Sequence, residues 1–306
     1  MYLFRTNRKH LAYLGYTLIS IIVILLLSVG CTESSSAKST SDNSELKEPV
    51  KLVYVDWASE LASAHVVKAV IEEKLDRKCQ LLSVSLIAMW ESIAAGDQDA
   101  TVAAWLPSLQ ARFFEEHRSE VQDLGPNLEG TKIGLVVPEY VSIDSTTELD
   151  SHAAQFNNKI IGIDPHAGIM ERTTAAIEAY GLENMDLVTG SGPTMTSALG
   201  EAIQEQRWIV VTGWTPHWKF AKYDLKYLQD PLGVYGEEER IHTIVRKGLQ
   251  EDMPKVYSFL ENFYWEPEDM QAVMLLAKNE NLAYQGAAQK WIKQNEELVD
   301  SWIEKQ

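Results

Sequence analysis

The chain has 306 residues, enough for one large domain or two ordinary ones, and its 45% hydrophobic and 23% charged residues are those of a globular protein with a proper core. A formal net charge of −17 at pH 7 repels nucleic acid and anionic lipid surfaces, which argues against either as a partner of the folded body.

The first segment stands apart in charge. Arg5, Arg8 and Lys9 form a basic region, and an apolar stretch runs from Leu11 to Val29 before Gly30-Cys31. Basic residues, an apolar run and a small residue before a break are the layout of a secretory signal, residues 1–30. Cys31 at that junction resembles the acylated cysteine of bacterial lipoproteins, which makes it the lipidation candidate. The alternative is an uncleaved membrane anchor, since the run is close to spanning length. Both readings put the rest of the chain outside the cytoplasm. With Cys31 lipidated, Cys79 has no partner and the fold cannot rely on a disulfide. Residues 31–48, which include TESSSAKSTSDNSEL, are Ser-rich and without periodicity, as a flexible tether is.

From Val50 onward, short β-prone runs alternate with amphipathic stretches, the pattern of parallel α/β construction. Strands are predicted at Val50–Trp57, Cys79–Leu86, Ala100–Trp105, Thr131–Pro138, Lys159–Ile163, Met185–Thr189, Arg207–Trp214 and Ile241–Arg246. Helices are predicted at Ser59–Leu75 with Ser59 as N-cap, Ala88–Ala95, Gly168–Tyr180 and Thr194–Gln206, and throughout Pro254–Ile303. Three strands end on tryptophan, at Trp57, Trp105 and Trp214, and the last two continue as Trp-x-Pro. In open parallel sheets the carboxyl ends of the strands line the ligand crevice. A single Trp at a strand end is most simply packing; three at equivalent ends point to one place.

An indole face attracts a cation at about 0.5–2 kcal/mol per contact. Quaternary ammonium groups donate no N–H hydrogen bonds and are weakly hydrated, so stacked indoles suit them better than a carboxylate does. Three contacts supply roughly 1.5–6 kcal/mol, while micromolar binding needs about 8 kcal/mol, so a second anchor is required. Asp164-Pro165-His166-Ala167-Gly168 is turn chemistry between a strand and a helix. The backbone N–H groups of Gly168 and Ile169 are free at such an N-terminus and favour a carboxylate. The pattern describes a ligand with a cation at one end and a carboxylate at the other.

No metal-ligand spacing occurs among the seven histidines, no cofactor motif is present, and Gly190-Ser191-Gly192 is not a nucleophile elbow. No catalytic residue is therefore assigned, and a surface-anchored enzyme is the remote alternative. His166 and His217 lie in the two ligand loops and are expected behind the contact residues. Glu237–Glu239 reads as a solvated acidic face.

The segments VDWASE (Val55–Glu60), AAWLP (Ala103–Pro107), IDPHAGIM (Ile163–Met170), VVTGWTPHWKFAKYDLKYLQDP (Val210–Pro231) and IHTIVRKG (Ile241–Gly248) resemble the glycine betaine/proline betaine-binding proteins of ABC importers, over nearly everything from Val50 to Ile303. The resemblance implies an α/β, two-lobe periplasmic-binding-protein-like fold of type II with ligand in the inter-lobe cleft. Lobe I would be 49–137 plus 241–306 and lobe II 138–240. It further implies Trp57, Trp105 and Trp214 as the ammonium cage and the amides of Gly168 and Ile169 as the carboxylate anchor. Where close relatives hold the carboxylate with a His, this chain has Gln110, which can donate but carries no charge. The implied partners are a quaternary ammonium solute, an ABC permease and the membrane through a lipid anchor, in osmoprotective uptake. Choline, carnitine, proline betaine and dimethylsulfoniopropionate remain alternative ligands.

Overall fold

The structure is a computed structural model that describes residues 48–304. The basic apolar leader, Cys31 and most of the Ser-rich tether lie outside the described residues. The chain first builds β1 (Val50–Tyr54), α1 (Ala58–Lys74), β2 (Cys79–Ser83), α2 (Leu86–Ala94), β3 (Ala100–Leu106), α3 (Ala111–His117) and β4 (Val121–Leu128). It then crosses to β5 (Lys132–Pro138), β6 (Lys159–Ile161), α4 (Gly168–Ala179), β7 (Asp186–Val188), α5 (Gly192–Gln204), β8 (Val210–Thr215), α6 (Lys219–Lys222) and β9 (Leu225–Tyr227). A second crossing returns it to β10 (Arg240–Arg246), followed by α7 (Leu249–Asp252), α8 (Pro254–Asn262), α9 (Pro267–Asn279), α10 (Tyr284–Gln294) and α11 (Glu296–Glu304).

The strands form two five-stranded sheets, β2-β1-β3-β10-β4 and β7-β6-β8-β5-β9. The two share one plan. In each, three strands run parallel, and the strand re-entering from the other lobe lies antiparallel beside the third. All seven residues of β3 are buried, as expected where helices cover both faces of a sheet. Its near-continuous apolar run, Ala100–Leu106, is what such a position demands.

Several boundaries differ from the sequence-based expectation. β5 pairs antiparallel with β8, Val136 opposite Val211, so it belongs to the second sheet. The first crossing therefore falls just before β5, at residues 129–131, and not after Val137. β4 and β9, not anticipated, are edge strands. Gly125 and Pro126 interrupt the apolar pattern of β4, and such residues are accommodated at a sheet edge. Trp57, not Ser59, stands at the N-cap of α1, and no side chain caps that helix.

Candidate functional site

The carboxyl ends of β1, β3 and β8, together with the N-termini of α1 and α4, converge on one narrow cavity. The first lobe contributes Trp57, Ser59, Trp105, Leu109 and Gln110; the second contributes Ile133, Ile163, Gly168, Ile169 and Trp214. All three strand-end tryptophans are present, each 9% exposed or less. None of the ten lining side chains is ionisable.

Local structure explains each placement. Trp57 sits three residues past β1, in a turn tied by its own N–H to the Val55 carbonyl at 2.7 Å. Glu60, in the first turn of α1, accepts the Val55 N–H at 2.7 Å and so clamps the same turn. That carboxyl is buried, and burial pushes its pKa well above the usual carboxylate range. Trp105 and Trp214 are the penultimate residues of β3 and β8, and in both cases the following proline, Pro107 or Pro216, is cis. The Trp214 indole N–H donates to Ser59 Oγ at 3.3 Å, from one lobe to the other. Ser59 is thus a contact point of the closed cleft, a role its place in the first turn of a helix does not reveal.

At the other end of the cavity, α4 begins at Gly168 with Ala167 as its N-cap and no side-chain cap. Neither the Gly168 nor the Ile169 N–H donates to an acceptor among the described residues. Two uncommitted backbone donors at a helix N-terminus are a natural anion site. Gly168 also lies against the opposite lobe. A Cβ there would stand 2.7 Å from the Leu109 carbonyl oxygen, so the glycine permits close approach of two loops.

Gln110 is 2% exposed and closes its loop by donating its backbone N–H to the Trp105 carbonyl at 3.0 Å. Its side-chain oxygen accepts the Trp90 indole N–H at 2.9 Å, which leaves the amide NH₂ as the donor end. Trp90 is fully buried and stacks on Phe113, so it holds Gln110 in a fixed orientation. The contact of Trp90 with Gln110 joins residues of α2 and the β3–α3 loop that no local pattern relates.

His217 is 1% exposed and meets Trp214 edge-on, with ring centroids 4.8 Å apart. Its Nδ1 accepts the Lys219 backbone N–H at 3.1 Å, and burial, then the nearby Lys219 and Lys278, hold its pKa well below the ordinary value. It is a neutral prop for the Trp214 ring. His166, expected in a similar place, is solvent-exposed and does not line the cavity. Its backbone N–H is engaged with Asp164 Oδ1 at 2.9 Å in a tight turn.

The acidic stretch also departs from expectation. Glu237 and Glu238 are exposed, but Glu239 is 3% exposed. Its carboxylate accepts the Ser108 N–H at 3.1 Å, the Leu109 N–H at 3.2 Å and the Ser108 hydroxyl. Its backbone carbonyl accepts the Thr131 hydroxyl from the other crossing. Glu239 therefore joins both inter-lobe crossings to the loop that carries Leu109 and Gln110. Among the described residues there is no metal-binding cluster and no helix long and apolar enough to cross a membrane.

Comparison with known proteins agrees with this geometry. Residues 48–294 match the family described as the substrate-binding domain of ABC-type glycine betaine transport systems. The chain is 53% identical to the glycine betaine/carnitine transport binding protein GbuC of Listeria monocytogenes over 152 residues, which is 49% of this chain and 50% of that protein. The match thus spans half the length of that relative. The crystal structure of lactococcal OpuAC, closed and complexed with glycine betaine, superposes with a TM-score of 0.79 at 41% identity, covering 84% of this chain and 100% of that one. The glycine betaine/L-proline-binding protein ProX from Borrelia burgdorferi gives a TM-score of 0.80 at 36% identity, covering 84% and 97%. The fold is that of type II periplasmic binding proteins, and the chain belongs to the family of substrate-binding domains of ABC-type glycine betaine transporters, a family of binding proteins and not of enzymes.

Proposed function

We propose that this chain is the extracytoplasmic binding subunit of an ABC importer, and that it captures glycine betaine and delivers it to a permease for osmoprotective uptake. One observation carries the reading. Three indole rings from two lobes meet at a cavity whose other end offers the free N–H groups of Gly168 and Ile169 and the amide of Gln110. Trp57, Trp105 and Trp214 would enclose the trimethylammonium head by cation–π and van der Waals contact. Gly168, Ile169 and Gln110 would hold the carboxylate.

The lining also bears on ligand choice. With no ionisable side chain in it, the cavity supplies no counter-charge. A zwitterion brings its own, whereas a simple cation such as choline would be buried unpaired at a large cost. That ranks glycine betaine, carnitine and proline betaine above choline. Because both lobes contribute contacts, bound ligand favours their closed arrangement.

Intrinsic tryptophan fluorescence should change saturably with micromolar glycine betaine, and Trp57→Ala, Trp105→Ala and Trp214→Ala should each weaken binding at least about tenfold. A flat titration up to millimolar betaine sinks the function, and unaltered affinity in all three variants sinks the site. Tethering through lipidated Cys31 belongs to the same proposal: Cys31→Ser should move the protein from the membrane fraction to the soluble fraction. Unchanged membrane retention would point instead to an uncleaved anchor.

A further inference from the structure

Lys219 opens α6, five residues after Trp214, and is completely buried. Its ammonium lies 4.3 Å from the centroid of the Trp214 ring and 5.3 Å from that of Phe220. Among the described residues no hydrogen-bond acceptor meets Nζ. Lys219 is not among the residues lining the cavity, so it rests on the cage tryptophan from outside. A buried, unpaired lysine is costly, and nothing in the binding mechanism described above uses it.

We propose that Lys219 is a specificity-determining residue for the cationic head of the ligand: from the outer side of Trp214 it opposes positive charge placed on the inner side. This rests on the tryptophan-cage reading of the cavity.

Two effects act in one direction. A cation over one face of an indole draws on the same π-electron density that would attract a cation to the other face. The two charges also repel directly. Separated by roughly 8–10 Å in a partly desolvated site, they interact strongly enough to change affinity on the order of tenfold. The effect vanishes when Lys219 is neutral. Burial alone pushes its pKa down to about 7, and no carboxylate contributes. The charged and titratable groups nearby are His217 on the preceding turn, Lys222 of α6 and Lys278 of α9 over the Trp218 ring, and Tyr227 of β9, which stacks on Phe220 and carries Lys132 over its ring. Burial keeps His217 neutral and Tyr227 protonated through the neutral range, because it shifts the first well down and the second up. The ligand's own carboxylate, one carbon from a quaternary nitrogen, stays ionised throughout this window. Betaine should therefore bind less tightly below pH 7, where Lys219 is protonated, and more tightly above it. By linkage, binding near pH 7 should release protons from the protein.

The test is a set of dissociation constants for glycine betaine at pH 5.8 and pH 8.5, by fluorescence and calorimetry, for the full chain and for Lys219→Met. The unaltered protein should bind about tenfold more tightly at pH 8.5. Lys219→Met should bind equally at both values, near the alkaline affinity of the parent. Calorimetry of the parent at pH 7 in buffers of different ionisation enthalpy should detect proton release, a measurement that does not depend on the variant folding. The carbon isostere 3,3-dimethylbutanoate, competed against betaine, should show no such preference for alkaline pH. A parent protein with pH-independent affinity and no proton release overturns the proposal, as does a folded Lys219→Met that keeps the parental pH slope. Absence of betaine binding at both pH values would defeat the cage reading itself.

Discussion

A methyl group at Gly168 would stand 2.7 Å from the Leu109 carbonyl oxygen and 2.8 Å from Leu109 Cβ. Backbone cannot yield as a side-chain tip can, so Gly168→Ala must hold the two loops apart. Gly168 opens α4 outside the left-handed region, so alanine fits its backbone conformation and the free protein should lose no stability. The expected result is a fall of about tenfold or more in betaine affinity with the thermal midpoint of the free protein unchanged or slightly raised. A variant with parental affinity would show that the Leu109–Gly168 contact is not needed for binding. At this scale much of the site was legible. Trp57, Trp105 and Trp214 stood out because a large aromatic at a strand end, twice followed by x-Pro, is an uncommon local pattern. Gly168 and Ile169 stood out because a strand–turn–helix junction exposes backbone N–H groups. Ser59, Leu109, Ile133 and Ile163, which complete the cavity lining, carry no such signal. They are ordinary residue types whose role arises only from what lies opposite them.

The element that decides how the site is held is the second crossing, which leads into β10. Glu239 receives two backbone N–H groups and a hydroxyl from Ser108 and Leu109. In the Glu239→Gln variant the amide has only one oxygen to accept with, and its NH₂ would face donors. Leaving buried donors unmet costs about 1–3 kcal/mol, so urea unfolding should show a loss of that size. The loop bearing Gln110 would also lose its tether to the crossing. Affinity for glycine betaine should therefore fall by more than affinity for tetramethylammonium, which has no carboxylate for Gln110 to meet. Equal losses for both ligands would mean that Glu239 acts on stability alone. The acidic run Glu237–Glu239 gave no hint of this. Three consecutive acids read as solvated, and only the packing of the crossing against the β3–α3 loop removes the third from water. β4 and β9 escaped detection for a related reason. Short or Pro-interrupted edge strands are defined by the neighbour they pair with, not by their own pattern.

Across the whole molecule the two sheets repeat one plan, and β3 and β8 occupy the same central place in each. This accounts for the recurrence of Trp-x-Pro: Trp105 and Trp214 are equivalent residues of two lobes that face each other. Three further contacts join the lobes around the cavity. These are the Trp214–Ser59 hydrogen bond, an ion pair of Arg112 with Glu171 at 3.0 Å, and Lys278 over the Trp218 ring at 4.5 Å. The ion pair is half-exposed, and such pairs contribute about 0–1 kcal/mol. Closure without ligand is therefore weakly held, which leaves the ligand to tip the balance, as a binding protein that must also release requires.

The α/β class, the order of most elements and the tryptophans that point at one crevice were determined by the sequence alone, because each depends on the chain's local periodicity and on where strands stop. The tertiary structure alone decided which lobe claims β5, that Glu239 is an anchor and His166 a surface residue, that Trp90 orients Gln110, and that a buried lysine lies against Trp214. Those facts depend on which groups are removed from water together, and burial is set by segments far apart in the chain, which no local pattern records.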